Sequence, residues 1–242
     1  MANTLAAQQL TKKFNGKTVL GEVSINVNGG EVVGLFGPNG AGKTTCFYII
    51  VGLLRADHGT ILFNDENITS LPIHKRAQRG VAYLPQEKSI FTDLTAIENV
   101  QAILEINSKH SAEYNRKTAL DLLGEMSIAH LAESQAATLS GGERRRVEIA
   151  RLLALNPAFV LMDEPFAALS PVAVDELQKI ILTLRARGIG IFITDHNFRE
   201  TLEICDRAYI LHNCQVLLNG PPETIKSSKI VQEVYSGDMF EK

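Results

Sequence analysis

The chain has 242 residues, of which 45% are hydrophobic, and its 24 Lys and Arg against 27 Asp and Glu give a formal net charge of −3. This length suffices for one or two domains with a sizeable core. The slightly acidic balance argues against nucleic acid as the main partner. Three scattered cysteines, Cys46, Cys205 and Cys214, lack metal-ligand spacing and favour a reducing cytosol.

Membrane-spanning segments are not expected, since no apolar run reaches the roughly 18 to 20 residues that cross a bilayer. The first residues also lack the charged-then-apolar pattern of a signal peptide. The sequence therefore predicts a chain that is soluble by itself and meets a membrane only through partners.

Apolar runs and turn signals predict strands that alternate with helices. A hairpin comes first, because Asn15-Gly16 joins two strand-like runs. The predicted strands cover residues 4–11, 17–27, 31–36, 60–63, 81–84, 159–162, 189–194, 208–211 and 215–218. Helices are predicted from 43 onward, near 72, over 96–106, 112–126, 142–155 and 171–185, and in small pieces after 222. This alternation implies an α/β fold with a mostly parallel sheet covered on both faces, and the helical block near 88–156 is an insertion.

A phosphate-binding loop is predicted between the strand at 31–36 and the next helix, where the chain fits G-x-x-x-x-G-K-[ST]. Its glycines let backbone N–H groups converge on phosphate oxygens, and the helix adds its positive end. The Lys43 ammonium is expected at the outer phosphates and the Thr44 hydroxyl at a magnesium ion. A glycine-rich turn with a chance lysine is the ordinary alternative. The predicted ATP-binding residues of the loop are Gly37, Pro38, Asn39, Gly40, Ala41, Gly42, Lys43, Thr44 and Thr45.

Catalytic side chains are predicted where three apolar strands end. Asp163 is expected to reach the magnesium and Glu164 to polarise the attacking water, because ligands bind at strand ends in open α/β sheets. Gln86 is expected to contact both metal and water, and His196 to hydrogen-bond the γ-phosphate or the water. Taken alone, a strand that ends in two acids is more often a solvated turn, and a lone histidine after a strand is usually structural. Phe14 is a candidate for stacking on adenine, although an aromatic there is as readily core.

A second candidate anion site is the run Ser140-Gly141-Gly142-Glu143. It fits the capping box S-x-x-E, which is good helix-start chemistry by itself. Two glycines weaken a first helical turn, however, and suit a backbone that lies close to a flat anion. The cations of Arg144, Arg145 and Arg146 are mildly unfavourable at a helix start, which a bound anion would relieve. A solvated basic face remains the commoner explanation for at least some of these arginines.

Together these motifs resemble the ATP-binding cassette (ABC) ATPases along the whole chain, because the phosphate loop, Gln86, Leu139–Glu143, Asp163-Glu164 and His196 follow that family's order. The resemblance implies ATP and Mg²⁺ as cofactors. It also implies a homodimer in which the family's signature segment, Leu139–Glu143, of one subunit covers the γ-phosphate of the ATP that the other subunit holds. The residues that would act in trans are Leu139, Ser140, Gly141, Gly142 and Glu143.

The same resemblance implies a P-loop NTPase fold in a single domain over 1–242. Residues 1–86 and 157–242 would form a RecA-like core with an antiparallel N-terminal β subdomain. Residues 87–156 would form the helical signature subdomain.

Within the family, the chain is similar to the ATPase subunits of lipopolysaccharide exporters. The residues that carry this likeness are Leu139–Arg151, Thr194–Asn197, Pro85–Glu87 and Ser89–Phe91. The likeness implies a cytoplasmic ATPase, peripheral on the inner membrane, with two transmembrane permease subunits and neither nucleic acid nor membrane insertion of its own. The alternatives are the ATPase of an amino-acid importer and a soluble ABC ATPase outside transport.

One position departs from the family pattern. The loop after Glu164-Pro165 usually carries an aspartate where this chain has Ser170. A serine can cap the following helix but lacks the charge. Coupling between two ATP sites is therefore expected to differ here.

Overall fold

The structure, a computed structural model, describes residues 3–107 and 110–235. The strands are β1 Thr4–Phe14, β2 Lys17–Asn28, β3 Val32–Phe36, β4 His58–Phe63, β5 Glu66–Asn67, β6 Val81–Leu84, β7 Phe159–Asp163, β8 Gly190–Thr194, β9 Arg207–His212 and β10 Gln215–Gly220. The helices are α1 Lys43–Val51, α2 Ile73–Gln78, α3 Ala96–Asn107, α4 Ala112–Glu125, α5 Gly141–Leu153, α6 Pro171–Ala186, α7 Phe198–Glu203, α8 Pro222–Ser227 and α9 Lys229–Val234. The predicted domain limits at residues 1 and 242 lie outside the described residues.

The strands form two sheets. A six-stranded sheet has the order β10-β9-β3-β8-β7-β6, and its pairs are parallel except for β9 with β10. A four-stranded antiparallel sheet has the order β2-β1-β4-β5. The predicted α/β class with a mostly parallel sheet is confirmed.

The central strands β3, β7 and β8 are buried along their whole length, because both faces of the sheet are covered. This explains their uninterrupted apolar runs. Successive residues of β8 enter different cores: Ile191 and Ile193 belong to the one that includes the helical insertion, and Phe192 to the one that includes α1 and the antiparallel sheet. The strand β2 instead alternates between buried and exposed positions, as expected for a sheet with one covered face.

The helical insertion is built from α3, α4 and α5, which pack against one another. Helix α5 also contacts β6 and α6, so the insertion rests directly on the α/β core. This contact brings the start of α5 near the carboxyl ends of the central strands. Among the described residues, no helix has the length and apolarity that a bilayer crossing requires.

Two elements were absent from the sequence-based prediction. The strand β5 has two exposed residues and carries no apolar pattern. Helix α7 is a single short helix in which the Asn197 side chain accepts the N–H of Glu200 at 3.4 Å. This cap, followed by an acidic residue in the first turn, is the signal that indicates the helix.

A pair of glycine substitutions tests the packing. A Cβ on Gly190 would lie 2.4 Å from a ring carbon of Phe159 and 2.7 Å from the carbonyl oxygen of Asn28. We expect Gly190→Ala to lower the free energy of unfolding by about 1–3 kcal/mol because the core there is already filled. Gly124 in α4 has open space around the same position. Gly124→Ala should raise stability by about 0.5–1 kcal/mol. Urea unfolding of both variants measures the difference, and equal effects would contradict this account.

Candidate active site

The phosphate loop connects the buried end of β3 to the start of α1, and its backbone requires glycine at two places. Gly37 and Gly42 have φ values of 151° and 102°. A Cβ at these positions would lie 2.2 Å from the carbonyl oxygen of Leu211 and 2.5 Å from that of Val19. Gly40 also has a positive φ, of 80°, but open space around it. The loop is thus held tightly at both ends and open in the middle, where a ligand can approach.

Lys43 is folded back onto its own loop. Its Nζ donates to the carbonyl oxygens of Gly37, at 2.6 Å, and Pro38, at 3.0 Å. Burial lowers the pKa of Lys43, and the nearby carboxylate of Glu164 acts in the opposite direction. The first turn of α1 carries no acidic side chain. The positive helix end and the ammonium therefore favour an anion in front of the loop.

A cavity of about 340 Å³ lies against this loop. Glu164, Thr194 and His196 enter its wall from the ends of β7 and β8. The other residues that line it are Val19, Asn39, Gly40, Gly42, Lys43, Thr44 and Thr45. The structure thus brings the phosphate loop, the predicted base and the predicted histidine to one cavity. Phe14 does not line the cavity; its exposed ring lies under the Nζ of Lys12 at 5.4 Å, so its adenine contact stays a prediction.

Glu164 is the point where the predicted catalytic residues meet. One carboxylate oxygen lies 2.7 Å from Nε2 of His196, and the other accepts the Nε2 amide of Gln86 at 2.6 Å. Its backbone N–H donates to the carbonyl oxygen of Thr194 at 2.7 Å. Its φ of 44° is unusual for a residue other than glycine, so the surrounding contacts must hold it. Two contacts therefore hold the carboxylate, and a third holds the backbone of Glu164.

Asp163 ends β7 and is only 4% exposed. Burial, reinforced by the neighbouring charge of Glu164, raises the pKa of Asp163 to about 6, whereas hydrogen bonding to Tyr83 and the charge of Arg145 oppose the rise. A cation near this carboxyl group would offset the cost of its charge.

The residues predicted for Mg²⁺ fit that ion by the chemistry of their donors. Thr44, Asp163 and Gln86 offer a hydroxyl, a carboxylate and an amide oxygen, the hard oxygen ligands that Mg²⁺ prefers. The amide nitrogen of Gln86 is engaged with Glu164, which leaves its oxygen available. Over residues 3–107 and 110–235, no group of three or more His, Cys, Asp and Glu could hold a metal ion. Mg²⁺ is usually held by a few protein oxygens together with substrate phosphates, which these three residues would suit.

The signature segment begins α5 with a complete capping box. The Ser140 N–H donates to the Glu143 carboxylate at 2.8 Å, and Ser140 Oγ accepts the Glu143 N–H at 3.3 Å. A Cβ on Gly142 would lie 2.9 Å from that of Ala173 in α6, so this glycine has a packing reason within the chain. The corresponding position on Gly141 makes only an ordinary contact of 3.7 Å. Packing therefore accounts for Gly142, and the predicted anion contact is needed to explain only Gly141.

Two of the three arginines after the signature, Arg145 and Arg146, do not belong to a solvated basic face. Arg145 is buried and donates to the carbonyl oxygen of Pro85 at 2.8 Å and to the carboxylate of Glu148 at 3.0 Å. Arg146 pairs with Glu176 of α6 at 3.5 Å. Both side chains connect α5 to the α/β core, a role that the sequence did not reveal.

Leu139–Glu143 does not complete the phosphate cavity of its own chain, because none of these residues lines it. Gly141 instead lines a second cavity of about 300 Å³, together with Lys88 and Arg144. Glu164 forms a wall of both cavities. The signature and the phosphate loop thus lie on different sides of the predicted base.

The fold and this site together define a nucleotide-binding cassette of the P-loop ATPase class. The chain belongs to the ABC transporter family, whose pattern matches residues 20–167. It is accordingly an ATP-hydrolysing enzyme.

Relatives and solved structures agree with this assignment. The chain is 50% identical over 236 residues, 98% of each chain, to the lipopolysaccharide export system ATP-binding protein LptB of Haemophilus influenzae. It is 30% identical to the ADP-bound MJ1267 cassette of an ABC transporter, with a TM-score of 0.88 over 98% of this chain and 100% of that one. The dimeric MJ0796 bacterial ABC transporter cassette is 27% identical, with a TM-score of 0.78 over 90% and 98%.

The raised pKa of Asp163 predicts a pH-dependent stability. The folded chain favours the protonated form of Asp163. This form stabilises the fold below the pKa that Asp163 has in the unfolded chain, and the stabilisation is lost as the pH rises through about 6. In chelator and without nucleotide, Asp163→Asn should therefore be more stable than the unchanged protein at pH 7.5, by about 1–3 kcal/mol. The two should converge near pH 4. Thermal unfolding across this range measures the difference, and a constant gap would contradict the prediction.

Glu164→Gln tests the predicted base. The amide keeps the size of the side chain but cannot polarise water, so we expect kcat to fall roughly 10²- to 10⁴-fold while ATP affinity is kept. Lys43→Ala is the complementary control, because it should lose ATP affinity. Phosphate release and ATP-dependent thermal shifts measure both properties. Normal turnover by Glu164→Gln would remove Glu164 from the catalytic role.

Proposed function

We propose that the chain is the ATPase subunit of a lipopolysaccharide exporter, in which two copies close on ATP and drive two transmembrane permease subunits. The observation that carries this proposal is the identity to LptB over 98% of both chains. Within the shared length lies the arrangement in which Gln86 and His196 hold the Glu164 carboxylate beside the phosphate loop.

Nucleotide binding in this scheme starts at the phosphate loop. Its backbone N–H groups and the Lys43 ammonium hold the phosphates, and Lys43 exchanges its two carbonyl partners for phosphate oxygens. Thr44, Asp163 and Gln86 would hold Mg²⁺, which supplies charge neutralisation at the outer phosphates. The energetic contribution of the protein is thus mainly positioning and electrostatics, as is general for phosphoryl transfer.

Hydrolysis in this scheme depends on Glu164, whose carboxylate accepts a hydrogen bond from the attacking water. Gln86 and His196 fix the two carboxylate oxygens and so orient the group before water arrives. His196 is well exposed to the cavity and is placed to hold the γ-phosphate or the water. A small displacement of any of these groups is costly, since catalysis by orientation is sensitive to misplacements of about 1 Å.

The second copy would complete the site. The signature does not reach the phosphate cavity of its own chain, and a dimeric cassette is known for the MJ0796 relative. In the proposed homodimer, Leu139–Glu143 of each chain covers the ATP of the other. Ser170, in place of the usual aspartate, accepts the N–H of Ala173 at 3.3 Å and caps α6 without adding charge. Communication across the dimer then relies on packing rather than on a charge at this position.

A connected set of contacts leads from the site to a candidate permease surface. Arg145 contacts Pro85 and Glu148, and Glu148 accepts the N–H of Ser89 at 2.7 Å. Two residues on, the ring of Phe91 is 47% exposed and carries the guanidinium of Arg151 at 4.8 Å from its centre. An exposed aromatic braced in this way suits a helix of a membrane partner, which would place the protein on the cytoplasmic face of the inner membrane.

The test is to purify the tagged chain from its own membranes in mild detergent and to identify what accompanies it. Two lipopolysaccharide-export permease subunits are the expected result, and Phe91→Ala should reduce their recovery. Leu217→Ala is the matched control, since Leu217 is an exposed apolar residue on β10, away from this surface. Recovery of importer permeases, or of the chain alone, would overturn the proposed cargo while leaving the ATPase assignment in place.

A further inference from the structure

One buried carboxylate beside the site has no part in the scheme above. Asp195 directly precedes His196 and is 7% exposed. Its Oδ1 accepts the N–H of Asn197 at 2.8 Å, and its Oδ2 accepts the N–H of Phe166 at 3.2 Å. The carboxylate thus joins two loops, the one that carries His196 and the one that follows Glu164.

Asp195 is the middle member of three successive contacts. The carbonyl oxygen of Thr194 accepts the N–H of Glu164, and Nε2 of His196 lies against the Glu164 carboxylate. Asp195 adds the contact to Phe166, two residues beyond Glu164. The pairing of β7 with β8 is in this way continued past the ends of both strands by side-chain contacts.

The loop after Glu164 has a backbone conformation that depends on supporting contacts. Glu164 and Ala168 both have positive φ, 44° and 58°, although neither is glycine. Such conformations persist only where surrounding contacts determine them. The N–H of Ala167 closes a turn onto the carbonyl oxygen of Glu164 at 3.2 Å, and the buried carboxylate of Asp195, which directly follows β8, adds a contact to the Phe166 N–H.

The far end of the same loop touches the signature. A Cβ on Gly141 would lie 3.7 Å from the Leu169 side chain, and one on Gly142 would lie 2.9 Å from that of Ala173 in the first turn of α6. The segment 166–173 therefore runs from Asp195 to the start of α5. Displacement of the His196 loop would be transmitted along it to the signature.

We propose that Asp195 is a positioning residue for ATP hydrolysis, which keeps the segment after Glu164 in register with His196. By the same contact it makes the placement of the signature of this chain depend on the His196 loop. This inference rests on the proposed roles of Glu164 and His196 and on the proposed homodimer. In that dimer, the signature serves the ATP of the other copy, so Asp195 would link the two ATP sites.

The test compares Asp195→Asn with the unchanged full chain, purified without membrane partners. Asparagine keeps the size but replaces one acceptor oxygen with an N–H₂ group that faces another N–H donor. We expect kcat to fall roughly 10- to 100-fold. The KM for ATP should stay within about twofold, because the phosphate loop is unchanged. The Hill coefficient for ATP should approach one, because the substitution removes the contact proposed to link the two ATP sites. Asp195→Glu keeps both acceptor oxygens and should recover part of kcat.

Asp206→Asn is the matched control. The Asp206 carboxylate also bridges two elements, accepting the N–H of Val32 at 2.9 Å and pairing with Arg185. It lies at the amino-terminal ends of β3 and β9, on the opposite edge of the sheet from the site. Its kcat should be unchanged even if its melting temperature falls.

Three results would overturn the inference: an unchanged kcat in Asp195→Asn, a kcat loss equal to that of Asp206→Asn, or a loss of ATP affinity. These are separable from failure of the proposed function. Normal turnover by Glu164→Gln would remove the assumed base, whereas a normal Asp195→Asn beside an inactive Glu164→Gln would remove the inference alone. Capture of importer permeases would affect neither result.

Discussion

The site depends on the parallel pairing of β7 with β8. In this register Asp163 lies opposite Thr194, so both strands end at the same level. The residues that follow the two strands therefore lie at the same edge of the sheet. Glu164 and His196 are then near neighbours although 32 positions separate them in the sequence. A one-residue slip would exchange the two faces of β8 and send Phe192 into the wrong core. The filled cores on both faces of the sheet are therefore what fixes the catalytic geometry.

Charged side chains near the ends of β7 and β8 are buried, which costs a considerable amount of free energy. The rise in the pKa of Asp163 from its ordinary 3.8 to about 6 corresponds to roughly 3 kcal/mol against its charged form. Burial likewise lowers the pKa of Lys43. Phosphates before the loop and a cation beside Asp163 would each offset one of these penalties. These charged side chains are already desolvated before the ligand arrives. The site is therefore more stable with Mg²⁺-nucleotide bound than when it is empty.

Much of this arrangement could be predicted from the sequence because it depends on short-range sequence patterns. The glycine spacing of the phosphate loop, the capping box at Ser140 and the apolar runs of β7 and β8 each report short-range geometry. Contacts between distant elements left no such signal. Three contacts join residues 29 or more positions apart by tertiary packing alone: Arg145 with Pro85, Gly142 with Ala173, and Asp195 with the Phe166 N–H. For Arg145 the sequence consequently left open a bound anion or a solvated basic face, whereas the side chain is buried against Pro85 and Glu148.

The two cavities that share Glu164 support the proposal that a second chain completes each ATP site. The carboxylate faces the phosphate loop on one side and the cavity lined by Gly141 and Arg144 on the other. Within a chain, α5 is held where it is by Arg145 on the β6 side and by Gly142 against α6. Its amino terminus therefore cannot swing across Glu164 to reach the phosphate loop without breaking the hydrogen bond from buried Arg145 to the Pro85 carbonyl. A hydrogen bond that involves a charged group typically contributes about 1.5–3 kcal/mol. A second chain can present the same helix end from outside at no such cost. The contacts that keep the signature away from its own nucleotide thus favour the proposed head-to-tail dimer.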